Sequence, residues 1–87
     1  MRLEIFSVFD IALGAFGRPM FLNSVGQAMR SFSDEVNRKS DDNNMYRHPE
    51  DFALFHCGTW VDDDGSFEVF DRPQRLTNAV DVLVKEN

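Results

Sequence analysis

Residues 52–70, "FALFHCGTWVDDDGSFEVF", place Asp64 and Gly65 between two alternating, aromatic-rich runs. An Asp-Gly pair in that setting is a strong hairpin signal, because the turn needs backbone angles that these two residues tolerate and most others do not. The chain is therefore read as organised around a sheet. The pattern predicts strands over 52–61 and 66–70, with Gly58 as a bulge in the first.

A matching pair precedes it. In "RLEIFSVFD", Leu3, Ile5, Ser7 and Phe9 alternate with Glu4, Phe6 and Val8. Apolar residues occupy both sets, which suits a strand with both faces at least partly covered. Gly14, Gly17 and Pro19 then turn the chain before "MFLN" continues as an extended piece. This reads as an irregular first hairpin.

Ser24 and Gln27 have the spacing of a capping box, in which two side chains satisfy free N–H groups of a first helical turn. Val25, Ala28, Met29, Phe32 and Val36 follow on one helical face, with Arg30 and Asp34 spaced for a pair outside it. "NRKSDDNN" interrupts the pattern, and residues 38–47 are expected to form a mobile polar loop. At "HPED", Pro49 fixes its own φ and biases His48 toward extended geometry, giving a stiff entrance to the strand that begins at Phe52. Asp71, Pro73 and Gln74 resemble a second helix start, with Leu76, Ala79, Val80 and Leu83 on one face. The expected fold is α+β: one domain over 1–87, ordered β-β-α-β-β-α, its small antiparallel sheet of two hairpins carrying two helices on one face.

Few chemistries survive inspection of the reactive residues. A single cysteine, Cys57, rules out an internal disulfide or a cysteine-based zinc cluster from one chain, and implies a reducing compartment. His56 and Cys57 are neighbours on a strand and so point to opposite faces. Starting an EF-hand loop at Asp62 puts Phe67 where glycine is required. No Walker loop or dinucleotide fingerprint occurs. Glu4 and Asp10 break the apolar N-terminal run, against both a signal peptide and a membrane span. We expect no enzyme, cofactor, metal or membrane.

A binding surface remains. The net charge of -6 opposes general attraction to phosphate backbones, but Arg38, Lys39, Arg47 and His48 bracket one loop, and Arg72 and Arg75 lie near a later turn. Phe52, Phe55, Trp60, Phe67 and Phe70 fall on the second hairpin, where aromatics either build the core or stack nucleotide bases.

The series "FSVFD" at 6–10, "GQAMRSFSDEVN" at 26–37, "HPEDFALFHCGTW" at 48–60 and "DDDG" at 62–65 resembles the small nonstructural protein of gokushoviruses, single-stranded DNA phages of the Microviridae. The resemblance implies an accessory protein of the host cytoplasm, associated with DNA binding and with single-stranded genome synthesis and packaging. Two readings stay open. In one, Arg38, Lys39, Arg47 and His48 hold phosphates of single-stranded DNA while Trp60 meets bases. In the other, Glu50, Asp51, Asp62, Asp63 and Asp64 face a basic partner, such as a replication initiator or procapsid protein. A homodimer formed through an open sheet edge is compatible with either.

Overall fold

The computed structural model describes residues 1–84. Five strands form one antiparallel sheet: β1 (Arg2–Asp10), β2 (Ala15–Phe16), β3 (Met20–Leu22), β4 (Phe52–Val61) and β5 (Ser66–Asn78). β2 and β3 both pair with the same side of β1, so they act as one strand broken at residues 17–19, and the sheet runs β2/β3, β1, β4, β5. Each hairpin is thus present, and the pairing of β1 with β4 joins them.

Three helices cover one face: α1 (Val25–Val36), α2 (Asn44–Arg47) and α3 (Ala79–Val82). Helix α1 starts as the capping pattern predicts. Gln27 N–H donates to Ser24 Oγ at 3.1 Å, and Gln27 Oε1 accepts from Asn23 N–H at 2.8 Å, satisfying two donors that the helix itself cannot. Ala28, Phe32 and Val36 face Phe6 of β1, Leu54 of β4 and Ala79 of α3 in the core. Phe6 and Leu54 are wholly buried, and each such side chain contributes about 1.5–3 kcal/mol over its exposed state.

Two segments differ from the sequence expectation. Residues 71–78 continue β5 rather than opening a helix, and only the four residues of α3 are helical. Thr77 pairs with Leu54 and Arg75 with Phe55, so tertiary pairing claims a stretch whose apolar spacing also fits a helix. Pro73 is accommodated because residues 70–73 bulge out of the ladder, where a missing N–H breaks no strand pair. Leu76, Ala79 and Leu83 still pack on the core, while Val80 is exposed.

Residues 38–47 contain the short helix α2, and the anchor is Asn43. Its buried amide donates to the Glu35 and Arg38 carbonyls at 2.7 and 2.8 Å and accepts from Met45 N–H at 3.1 Å. Met45 then reaches the core. "HPED" forms a 3-10 turn at Pro49–Asp51, tied to the end of β1 by Ile11 N–H donating to the Asp51 carbonyl at 2.8 Å.

Candidate functional site

Alternation along the paired strands sorts the side chains onto two faces. On β1, Glu4, Phe6 and Val8 point toward the helices, leaving Leu3, Ile5, Ser7 and Phe9 on the other face. The bulge at Cys57 lets both halves of β4 keep this division. Phe6 pairs with His56 and Ile5 with Gly58, so Cys57 is the extra residue and the alternation resumes in phase with β1. Gly58 supplies the φ of +154° that the bulge requires, as its position in the sequence suggests.

The helix-free face carries two aromatic clusters. In the first, Phe9, Phe16 and Phe55 meet edge to face with centroids 4.8–6.3 Å apart, and the Arg75 guanidinium carbon stands 5.1 Å from the Phe55 centroid. Such a cation over a ring gains electrostatic attraction from the ring quadrupole. In the second, Phe21 lies edge-on to Trp60 and Phe67 at 6.5 and 6.3 Å, and these three with Leu3 line a cleft of about 370 Å³. Ile5 and Ser7 of this face are buried beneath the rings, while Phe16 is 45%, Phe21 42% and Phe67 60% exposed, so the outer layer of this side is an open aromatic surface. Among the described strand-paired residues of this face there is no carboxylate, and Arg75 carries the charge. For a chain of net charge -6, that segregation is pronounced.

The hairpin aromatics therefore divide. Phe55, Trp60 and Phe67 belong to the open face. Phe52 packs on the core, and Phe70 stands edge-on to His56 at 4.8 Å. His56 is itself stacked on Phe6 at 4.9 Å, and its Nε2 lies 3.1 Å from Glu4 Oε1, which also accepts from Thr59 Oγ1 at 3.3 Å. His56 is thus a hydrogen-bonded packing residue of the helix side. Burial pushes the Cys57 thiol above its ordinary value, the opposite of what a nucleophile needs. Among the described residues, no group of three or more His, Cys, Asp or Glu could hold a metal ion, and no helix is long and apolar enough to cross a membrane.

The loop cations lie in the helical layer, across the sheet from Trp60. Arg38 bonds both Glu35 and Asp42, and the Glu35 hydrogen bond raises its pKa. The Ser40 hydroxyl, followed by Arg38, holds the Asp42 carboxyl below its usual range. Arg47 Nη1 donates to the Asp41 carbonyl at 3.1 Å, and His48 Nδ1 lies 3.7 Å from Glu50 Oε1. Lys39 follows Arg38 in the same loop. The structure does not bring Arg38, Lys39, Arg47 and His48 together with Trp60 on one surface.

The acidic candidates are divided as well. Asp62, Asp63 and Asp64 form the β4–β5 turn, whereas Glu50 and Asp51 sit at the other end of the ten-residue β4, roughly 30 Å away. Asp62 accepts from the Met1 amine at 2.6 Å. Asp64 is held below its usual range by the Ser66 hydroxyl and then by Ser66 N–H, at 3.0 Å. Sequence reasoning placed neither Phe9, Phe16 and Phe21 nor Leu3 in a site. The available signal was the apolar character of both residue sets in β1, more than a half-solvated strand requires.

No curated protein and no solved structure matches the chain. The model of a family described as Phage ORF5 protein matches residues 3–82, a span that takes in both hairpins, all three helices and the open aromatic face. The chain belongs to the Phage ORF5 protein family.

Proposed function

We propose that this phage protein is a gokushovirus nonstructural accessory that contacts single-stranded DNA through the open aromatic face during genome synthesis and packaging in the host cytoplasm. One observation carries the reading: an aromatic sheet face whose described strand-paired residues include no carboxylate, with Arg75 set over Phe55. Unpaired bases offer flat π-surfaces to such rings, whereas in a duplex those surfaces are already stacked. The role is non-catalytic and needs no cofactor. Affinity comes mainly from stacking, so salt dependence is shallow, with a slope of log K against log salt of about -1.

The test is a titration of labelled single- and double-stranded oligonucleotides at low and physiological salt, followed by anisotropy and Trp60 fluorescence. Preference for the single strand with Trp60 quenching supports the reading. Absence of binding at low salt, or equal affinity for duplex, overturns it. A second reading, an adaptor for a basic replication or capsid protein, draws on the exposed Asp63 and its neighbours at the hairpin tip. Recovery of a phage protein that is lost when Asp62, Asp63 and Asp64 become asparagine favours that alternative.

A further inference from the structure

We infer that the open face holds two separate nucleotide subsites, and that Phe55 with Arg75 forms the second of them, a combined base platform and phosphate clamp. The inference rests on the single-stranded DNA reading and assigns its ligand residue by residue. The cleft of Leu3, Phe21, Trp60 and Phe67 is lined by apolar and aromatic side chains, which suits a base but provides no charge for a backbone. Phe55 and Arg75 are paired neighbours on β4 and β5, and the guanidinium rests over the Phe55 ring, so the ring supports a cationic plane on whose outer side a base can stack. Asn78 Oδ1 takes one donor from Arg75 Nη1 and anchors the guanidinium. The planar fork has five donors, so others remain to meet a phosphate.

Spacing sets the length of ligand required. Phe55 and Trp60 lie on the same strand with one bulged residue between them, which separates their subsites by roughly 15 Å. A stacked strand rises about 3.4 Å per nucleotide, and one whose bases are splayed onto protein rises more. Three to four nucleotides, approximately, therefore span both subsites, and a dinucleotide fills only one. Joining two weak sites through one strand raises affinity by effective concentration. The strand-paired residues described on this face include no carboxylate and carry Arg75, which favours an anionic ligand over a basic partner, and the exposed rings favour unpaired bases over an acidic peptide.

The experiment compares thymidine dinucleotide, tetranucleotide and octanucleotide on the intact protein and on F55L, R75Q and, as a control on the opposite face, R30A. Circular dichroism checks each fold. For the unaltered chain and R30A, the octanucleotide is expected to bind on the order of tenfold or more tighter than the dinucleotide. In F55L and R75Q that advantage falls to about threefold or less, while the dinucleotide still quenches Trp60. If both folded variants retain the full length advantage, the Phe55–Arg75 subsite is refuted and the broader DNA reading survives. If the unaltered chain binds no oligonucleotide, the DNA reading fails and takes the subsites with it. A concentration-dependent dimer mass that shields Trp60 and excludes DNA overturns both.

Discussion

Replacing Gly58 by alanine tests whether the bulge sets the register on which both faces depend. Gly58 has φ +154°, and a Cβ built there lies 2.4 Å from the Glu68 carbonyl oxygen and 2.7 Å from Val69 Cα. Both obstacles are backbone, so no rotamer change relieves them. Moving from 2.4 to an ordinary 3.4 Å requires β5 to retreat by 1.0 Å, across a pairing that holds Glu68 opposite Thr59 and Val69 opposite Gly58. The backbone strain costs about 1–3 kcal/mol and the overpacking about 1–3 more, for a total of roughly 2–6 kcal/mol. At about 4–8 °C per kcal/mol for a domain of this size, the midpoint of thermal unfolding falls by at least about 8 °C.

Gly65→Ala separates the two contributions. Gly65 has φ +72° with nothing within 4 Å of a built Cβ, so its replacement costs only the conformational penalty, about 1 kcal/mol. Urea denaturation of both variants, followed by far-ultraviolet circular dichroism and Trp60 emission, gives the comparison. In G58A the Trp60 emission should shift to longer wavelength, because the cleft it shares with Phe67 is formed across the displaced strands. A G58A loss below about 0.5 kcal/mol, or one equal to that of G65A with unaltered emission, would refute the argument that close approach at Gly58 fixes the hairpin.

Other substitutions probe the helical layer and the thiol. Asn43→Ala removes three hydrogen bonds at a buried position and should cost about 2–4 kcal/mol in urea unfolding. Ser24→Ala deletes the exposed cap of α1 and should cost about 1 kcal/mol by the same measurement. Glu4→Ala leaves His56 Nε2 and Thr59 Oγ1 without their common partner, so an unfolding loss of about 1–3 kcal/mol is expected. Desolvation favours the neutral Cys57 thiol, so alkylation at neutral pH should run slower than for a free cysteine and accelerate only as alkaline pH generates thiolate. A fast reaction at neutral pH in the folded chain would contradict the burial.

Much of this molecule is fixed by local chemistry. The alternation of β1, the Ser24 cap and the Asp64-Gly65 turn each rest on contacts within a few residues, and the structure places all three where the spacing puts them. Gly58 is legible as a bulge because glycine inside an alternating strand signals an unusual φ. The fate of residues 71–78 is decided elsewhere: their apolar spacing fits a helix, but pairing with Phe55 and Leu54 satisfies their backbone in a ladder that no local pattern reveals. The same holds for the basic loop. Its cations are adjacent in sequence, but folding engages Arg38 with Glu35 and Asp42 and puts the sheet between the loop and Trp60. Period-two alternation tells which residues share a face of a strand. Which face the helices cover, and hence which rings stay open to a ligand, is set by how α1 and α3 close over Phe6 and Leu54, because burial of those side chains is a property of the packed layers.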